Sequence, residues 1–258
     1  MKKERIQKIL SQAGYGSRRE IELWIEQGLI EINGEKAELG AAADLNDKIS
    51  VKGHLIANPL KQKPQTRILL YHKPVGEISS KSDPKHSKTV FDNLPPLKNE
   101  RWVQVGRLDI NTSGLLIFTN NGELANQLMH PKFGLEREYA VRIYGQVSDE
   151  TIKALLKGVQ LEDGPAKFNK IEFRGGEGTN SWYHVTLTEG RNREVRRLWQ
   201  SQNVEVSRLV RVRYGKLALP RYLPRGQCKE LSPKEVEHFL FSLKSPVSNE
   251  KKSAKKTT

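Results

Sequence analysis

The chain has 258 residues, of which 44 are Lys or Arg and 30 are Asp or Glu, so its formal net charge is +14. The length predicts one or two domains, and the charge favours nucleic acid, ahead of an anionic membrane surface, because neutralised phosphates release counterions. A single cysteine, Cys228, excludes an internal disulfide and a cysteine-based zinc cluster, the His residues show no ligand spacing, and no apolar run suits a membrane span or a secretory signal. We therefore expect a monomeric cytoplasmic protein with no metal and no membrane partner.

The N-terminal module is predicted to contain two short helices and a small hairpin sheet. Residues 6, 9 and 10 are apolar and share one helical face, and a Gly-Tyr-Gly break follows at residues 14–16. Ser17 and Glu20 have the spacing of a capping box, which predicts the start of a second helix that ends near Gly28. A strand over residues 29–32 then runs into Asn33-Gly34, a hairpin dipeptide, and another strand is predicted over residues 48–51.

The rest of the chain predicts a larger α+β unit. Residues 57–66 are polar and contain two prolines, which predicts a linker that does not pack. Strands are expected at 67–72, 102–108, 114–119, 137–144, 167–173, 182–188 and 207–213, and helices at 122–130, 148–157, 192–202 and 232–243. The predicted domains are therefore 1–56, with a linker at 57–66, and 67–244, with a mainly antiparallel mixed sheet, followed by a disordered basic tail at 245–258.

Basic residues cluster around the start of the second helix. Arg18 and Arg19 lie in its first turn, where cations oppose the helix dipole, and Arg5 precedes the first helix together with Lys2, Lys3 and Lys8. A phosphate backbone would compensate this placement, because helix N termini and Arg side chains both bind phosphate oxygens. A solvated basic face explains the charge pattern equally well.

A polar turn separates two apolar segments at Asp109. The local sequence, from Val105 to Leu116, favours an Asx-type turn in which Asp109 or Asn111 bonds nearby backbone N–H groups. The alternative is a functional carboxylate at the mouth of a sheet beside Arg107, since rigid scaffolds often position reactive groups on loops.

A third cluster combines a Gly turn with an Arg-rich helix and strand. Its guanidinium groups belong to residues 191, 193, 196, 197, 208, 211 and 213. The neighbouring acids, Glu189, Glu194 and Glu205, are too few to pair with all of them, so RNA contact is favoured over a surface helix with internal ion pairs.

Two family resemblances cover nearly the whole chain. Residues 3–56, with Gly16-Ser17-Arg18-Arg19-Glu20, Ile32-Asn33-Gly34 and Lys52-Gly53, resemble the S4 RNA-binding domain. Further motifs resemble pseudouridine synthases of the RsuA/RluB type: Tyr71 to Gly76, Gly-Arg-Leu-Asp-x-x-Thr-Ser-Gly-Leu-Leu at 106–116, Arg137-Glu138-Tyr139, residues 189–198 and Leu223-Pro224-Arg225-Gly226. Within that family the sequence is most similar to members that modify a uridine in domain V of 23S ribosomal RNA.

The resemblance implies a role for each matching residue. It makes Asp109 the catalytic aspartate, Tyr139 the aromatic against the target uracil, Arg196 the basic partner of Asp109, and Arg107 the side chain that fills the gap left by the flipped nucleotide. Further ribosomal RNA contacts are expected at Arg5, Ser17, Arg18, Arg19, Arg191, Arg193 and Arg197. Tyr139 could instead be a core tyrosine, Arg196 a phosphate contact, and Arg193 or Arg197 the partner of Asp109.

The implied reaction, an isomerisation of uridine, needs one carboxylate and no cofactor. The carboxylate either attacks the sugar or removes a ribose proton, and the sequence leaves both routes open. A non-catalytic RNA-binding protein, and the same chemistry on small-subunit ribosomal RNA, are the competing interpretations. Asp109 argues against a pure binder, because a carboxylate within an Arg-rich surface weakens phosphate binding.

Overall fold

The computed structural model describes residues 3–61, 64–80, 88–98, 100–145, 147–177 and 179–244, and the predicted tail at 245–258 lies outside them. Among the described residues, no helix is long and apolar enough to cross a membrane.

The N-terminal unit packs two helices against a four-stranded antiparallel sheet. Its elements are β1 (Glu4–Arg5), α1 (Ile6–Gln12), α2 (Arg18–Glu26), β2 (Ile30–Ile32), β3 (Glu35–Lys36), β4 (Ala42–Ala43), β5 (Ile49–Val51) and β6 (His54–Ile56). The sheet order is β3-β2-β5-β6, and β1 pairs separately with β4. The capping box is confirmed, since Ser17 Oγ accepts from the Glu20 amide at 3.1 Å and Glu20 Oε2 accepts from the Ser17 amide at 3.2 Å. Asn33 and Gly34 both have positive φ, as the predicted β2–β3 turn requires.

The prediction that residues 57–66 do not pack is wrong for their first part. Asn58 is buried, and its Nδ2 donates to the carbonyls of Asp44 and Asp47 at 2.8 Å each. A short 3-10 helix, Pro59–Lys61, follows, and Leu60 packs against the core of the N-terminal unit. A polar side chain that bridges two loop carbonyls therefore attaches this segment to the unit.

The larger unit contains every strand and helix predicted after residue 66, with shifted ends. Its elements are β7 (Ile68–Lys73), β8 (Val103–Val105), β9 (Ser113–Thr119), α3 (Gly122–Met129), β10 (Arg137–Tyr144), α4 (Asp149–Lys157), β11 (Val159–Leu161), β12 (Gly164–Ala166), β13 (Lys170–Glu177), β14 (Asn180–Leu187), α5 (Glu194–Gln200), β15 (Val206–Tyr214), β16 (Leu217–Ala218), β17 (Cys228–Glu230) and α6 (Pro233–Lys244). The hairpin β11–β12 and the short strands β16 and β17 were not predicted.

A nine-stranded sheet organises this unit and confirms the mainly antiparallel mixed architecture. The main order is β13-β14-β10-β15-β9-β7-β17, with β8 also on β9 and β16 on β15. Only the β9–β15 pair is parallel among the described strands, and it joins Ser113 to Val210 and Gly114 to Arg211.

Both faces of the central strands are buried. On β7, Leu69 and Tyr71 belong to one hydrophobic core, whereas Ile68 and Leu70 belong to another on the opposite face. All seven residues of β9 are buried. A strand covered on both sides needs no polar face, which is why β9 reads as a continuous apolar run. This rigid strand fixes the position of the loop that precedes it.

Candidate active site

The loop between β8 and β9 is closed by backbone groups. The Thr112 amide donates to the Asp109 carbonyl at 3.0 Å, and Lys73 Nζ donates to the carbonyls of Asp109 at 3.1 Å and Thr112 at 2.9 Å. Among the described residues, no hydrogen bond reaches the side chain of Asp109 or Asn111. The Asx-turn interpretation is therefore wrong, and the Asp109 carboxylate is free to act on a ligand.

Lys73 is the residue that sequence reasoning missed at this loop. It ends β7, is 0% exposed, and also donates to the Pro74 carbonyl at 2.9 Å. Burial lowers the pKa of its ammonium to about 8, although the nearby charges of Glu77 and Asp109 favour the protonated form. A lysine at the end of an apolar strand was the available signal, because a buried ammonium needs several acceptors.

Gly114 brings β9 against β15 directly after the loop. Its φ is +111°, and a Cβ at this position would lie 2.3 Å from the carbonyl oxygen of Arg211. Only glycine permits this approach. The contact places the Asp109 loop and Arg211 beside the same cavity.

That cavity has a volume of about 380 Å³ and gathers several predicted site residues. Asp109, Arg107, Tyr139, Arg191 and Arg193 all line it. Tyr139 also belongs to the hydrophobic core and is only 8% exposed. It is therefore a core tyrosine and, at the same time, a wall of the cavity.

The side chain of Arg196 contacts a backbone carbonyl of the Asp109 loop. Its Nη2 donates to the Asn111 carbonyl and its Nη1 to the Val206 carbonyl, each at 2.9 Å. Burial, and secondarily the charge of Arg193, lowers the pKa of Arg196, while the charge of Asp109 acts in the opposite direction. The two side chains interact electrostatically but form no ion pair within 4.0 Å among the described residues.

Several arginines of the third cluster pair with carboxylates, and apart from Glu189 these partners were not predicted from the sequence. Arg197 makes a bidentate ion pair with Asp163, at 2.9 and 2.7 Å, and Arg191 binds Asp163 at 3.2 Å and Glu189 at 2.6 Å. Arg213 binds Glu138 and Glu136, at 2.7 and 3.0 Å. The prediction of an underpaired cluster is wrong for these residues, because the β11–β12 hairpin and the start of β10 supply acids far away in sequence. Arg193 is exposed, and its side chain forms no hydrogen bond or ion pair with another described residue.

The predicted basic residues of the N-terminal unit lie partly at a second cavity. Arg5, Arg18 and Arg19 are exposed, whereas the Ser17 hydroxyl caps α2. Arg18 and Lys8 line a cavity of about 510 Å³ between the two units, together with Arg101 of the larger unit. Burial and the charge of Arg18 lower the pKa of Arg101. Met129 lines both cavities, so this second cavity adjoins the Asp109 cavity.

The side chains that line the Asp109 cavity determine which ligand it can hold. Among the described residues, no three His, Cys, Asp or Glu side chains form a group that could hold a metal ion. The cavity instead combines a free carboxylate, an aromatic wall and several guanidinium groups. This set suits a polyanionic ligand that presents an aromatic base.

Comparisons with known proteins agree with both units. Residues 67–201 match the family described as RNA pseudouridylate synthase, and residues 4–49 match the S4 domain. The chain is 55% identical over 238 residues to the ribosomal large subunit pseudouridine synthase B of Yersinia pestis, which covers 92% of this chain and 75% of that protein. It is 52% identical over 253 residues to the protein of the same name from Escherichia coli (strain K12), which covers 97% of this chain and 87% of that protein.

A solved structure also shares the fold. The crystal structure of a pseudouridylate synthase superposes with a TM-score of 0.62 at 24% identity, over 90% of this chain and 98% of that chain. The family matches and the extent of the similarity give one assignment: the chain belongs to the RsuA-type RNA pseudouridine synthases that carry an N-terminal S4 domain.

Proposed function

We propose that this enzyme converts a uridine in domain V of 23S ribosomal RNA to pseudouridine, with Asp109 as the reacting carboxylate. The single observation that carries the proposal is the free Asp109 carboxylate, on a loop fixed through its own backbone, beside Tyr139 in one cavity. The choice of RNA rests on the names of the similar proteins, which are large-subunit enzymes, and domain V rests on the resemblance of the motifs.

The reaction exchanges one glycosidic bond for another. The N1–C1′ bond breaks with its electron pair on uracil, the base turns, and C5 bonds to C1′ while the C5 proton leaves and N1 gains a proton. Asp109 either bonds to C1′ as an ester, which breaks again when C5 attacks C1′, or removes a ribose proton, which returns to the sugar when C5 bonds to C1′. Nothing is oxidised or reduced, so no cofactor is needed.

The target nucleotide must leave its stack before Asp109 can reach the sugar. Unstacking costs a few kcal/mol, and stacking on an aromatic side chain recovers about 1 to 3 kcal/mol. The position of Tyr139 in the wall of the cavity supports a stacking role for this side chain. Arg107 is exposed beside the same cavity and is suited to fill the gap left in the RNA.

Arg196 supports the Asp109 carboxylate indirectly, by binding the backbone of the loop that carries it. Its Nη2 donates to the carbonyl of Asn111, two residues from Asp109, and its charge interacts with that of Asp109 through space. This geometry supports Arg196, rather than Arg193 or the ion-paired Arg197, as the basic partner.

Exposed cations provide the RNA contacts in this proposal. Arg107 and Arg193 lie at the catalytic cavity, and Arg5, Arg18 and Arg19 lie on the S4 domain, where Ser17 contributes by capping α2. Arg191 and Arg197 hold the β11–β12 hairpin through Asp163, so we assign them to the scaffold.

The test compares Asp109→Asn with Asp149→Asn, a control on the surface of α4. Cells lacking the wild-type protein receive each variant, and carbodiimide primer extension maps pseudouridine in both ribosomal RNAs. We expect Asp109→Asn to bind RNA normally without restoring the modification, and Asp149→Asn to restore it fully.

Three results would contradict parts of the proposal. Restoration by Asp109→Asn would remove Asp109 from catalysis. A site in small-subunit RNA, or outside domain V, would correct the substrate. RNA binding by the wild-type protein with no pseudouridine in either RNA would favour the non-catalytic binder.

A further inference from the structure

Two buried guanidinium groups lie at the catalytic cavity without a carboxylate partner. Arg137 and Arg211 line the cavity and are 9% and 2% exposed, and neither forms an ion pair with a described residue. Together with three other lining arginines they outnumber the lining carboxylates, Asp109 and Glu194. The cavity is therefore suited to negative charge beyond its own acids.

Arg137 is fully engaged as a scaffold. Its Nη1 donates to the Thr188 carbonyl, to the Glu189 carbonyl at 3.0 Å and to the Leu135 carbonyl at 3.3 Å. Its Nη2 donates to Tyr214 Oη at 3.0 Å. The hydrogen bonds of this guanidinium leave it little capacity for a ligand.

Arg211 also lies over the ring of Tyr214, but its guanidinium group forms fewer hydrogen bonds than that of Arg137. Both guanidinium groups lie over the Tyr214 ring, with Arg137 Cζ 4.9 Å and Arg211 Cζ 5.2 Å from the ring centre. Arg211 Nε donates to the Leu115 carbonyl at 2.8 Å, which is its one hydrogen bond to a described residue, and Nη2 is buried without a partner. The hydrogen bond therefore holds the guanidinium group in place at the cavity, and no carboxylate among the described residues pairs with its charge.

Two kinds of negative charge enter such a site during pseudouridine formation. The phosphodiesters are charged throughout and remain with the RNA backbone, which suits the exposed Arg107 and Arg193. The uracil ring acquires charge only when the N1–C1′ bond breaks, because the electron pair spreads over N1 and the carbonyl oxygens. A buried cation is worth most where charge develops away from water.

We propose that Arg211 stabilises the uracil anion released by cleavage of the N1–C1′ bond, an inference that rests on the proposed pseudouridine synthesis. Arg211 thus acts on the leaving group while Asp109 acts on the ribose. When C5 bonds to C1′ the ring charge is neutralised, the C5 proton is lost and N1 is protonated, so the cation holds the base only between the two bond changes.

The test measures single-turnover tritium release from a 23S domain V transcript labelled with [5-³H]uridine, alongside the Kd for that RNA. Arg211→Gln removes the charge and retains an N–H near the Leu115 carbonyl, whereas Arg211→Lys retains a cation. Arg213→Gln, on the same strand but ion-paired outside the cavity, is the control. We expect about a 100-fold loss of rate for Arg211→Gln with Kd unchanged within about 2-fold, and at least a ~10-fold recovery in Arg211→Lys.

Other results overturn the inference. An Arg211→Gln rate within about 3-fold of wild type would exclude electrostatic stabilisation of the base. A weaker Kd at unchanged rate would make Arg211 a phosphate anchor, and equal losses in the Gln and Lys variants would make it structural. If Arg211→Gln does not fold, Arg211→Lys decides: we expect a reduced rate at unchanged Kd, and the wild-type rate would refute the assignment.

The same assay separates this inference from the proposed function. Wild-type enzyme that releases no tritium from the transcript contradicts the proposed function itself. Wild-type release that Asp109→Asn abolishes and Arg211→Gln preserves contradicts the role of Arg211 alone.

Discussion

Replacing Lys73 with Met tests whether the Asp109 loop depends on one buried ammonium group. The substitution removes the ammonium donor from the carbonyls of Pro74, Asp109 and Thr112, although the Thr112 amide still donates to the Asp109 carbonyl. Loss of the ammonium donor costs about 2 kcal/mol at each of the Pro74 and Thr112 carbonyls, and about 1 kcal/mol at the Asp109 carbonyl, which keeps one hydrogen bond. Removal of a buried charge whose pKa is about 8 instead of 10.5 recovers about 3 kcal/mol. We expect a net loss of about 2 kcal/mol in the free energy of unfolding, measured in urea.

The effect on catalysis should exceed the effect on stability. A displacement of about 1 Å at a reacting group can cost about 100-fold in rate, so we expect a loss of that order in single-turnover tritium release. The control is Leu155→Ala in α4, a fully buried core residue outside the cavity, whose substitution costs about 2 to 5 kcal/mol. A wild-type rate in Lys73→Met, or an equal loss of rate in Leu155→Ala, would refute the positioning role.

The pH dependence of the free energy of unfolding provides a second comparison of the wild-type protein with Lys73→Met. The unfolded chain holds the Lys73 proton up to about pH 10.5, whereas the folded protein releases it near pH 8. The unfolded state therefore binds more protons between these values, and the stability of wild type rises with pH in this window. Relative to Lys73→Met, we expect a gain of about 1 kcal/mol between pH 7 and pH 9. A constant difference would contradict the depressed pKa.

Two further predictions concern strand packing and RNA contact. Gly114→Ala should lower the free energy of unfolding in urea by at least about 3 kcal/mol, because the added Cβ would meet the Arg211 backbone. The control Gly134→Ala, in open space at φ +53°, should cost about 1 kcal/mol, and similar costs for the two variants would contradict the close approach of β9 and β15. Arg193→Gln should lower the salt dependence of RNA binding by about one phosphate contact, whereas the ion-paired Arg197→Gln should leave it unchanged; the reverse order would return Arg197 to the RNA interface.

Secondary structure was predictable wherever one local pattern determined it. The Ser17–Glu20 spacing located the start of α2, and Asn33-Gly34 located the β2–β3 turn. The central strand β9 was recognisable from its apolar run. Short strands such as β17, whose stability comes from pairing with the distant β7, left no comparable signal.

The sequence motifs indicated candidate site residues but not the partners of the arginines among them. The motifs located Asp109 and Tyr139, which line one cavity. They did not show that Asp163 pairs with Arg197, because that ion pair joins residues 34 positions apart across a hairpin that was not predicted. Charge counting within one segment fails when the neutralising acid arrives from another part of the fold.

The arginines near the cavity illustrate why residue type alone does not establish a role. Arg197 forms an ion pair with Asp163, and Arg137 donates its hydrogen bonds mainly to backbone carbonyls. Removing either side chain therefore alters the scaffold. Arg193 is exposed and unpaired among the described residues, which suits a phosphate that remains in water. Arg211 is buried at the cavity, and its Nη2 has no hydrogen-bond partner among the described residues, which suits charge that develops inside the cavity. We therefore propose that burial and existing partners divide these arginines between the scaffold, the RNA backbone and the target base.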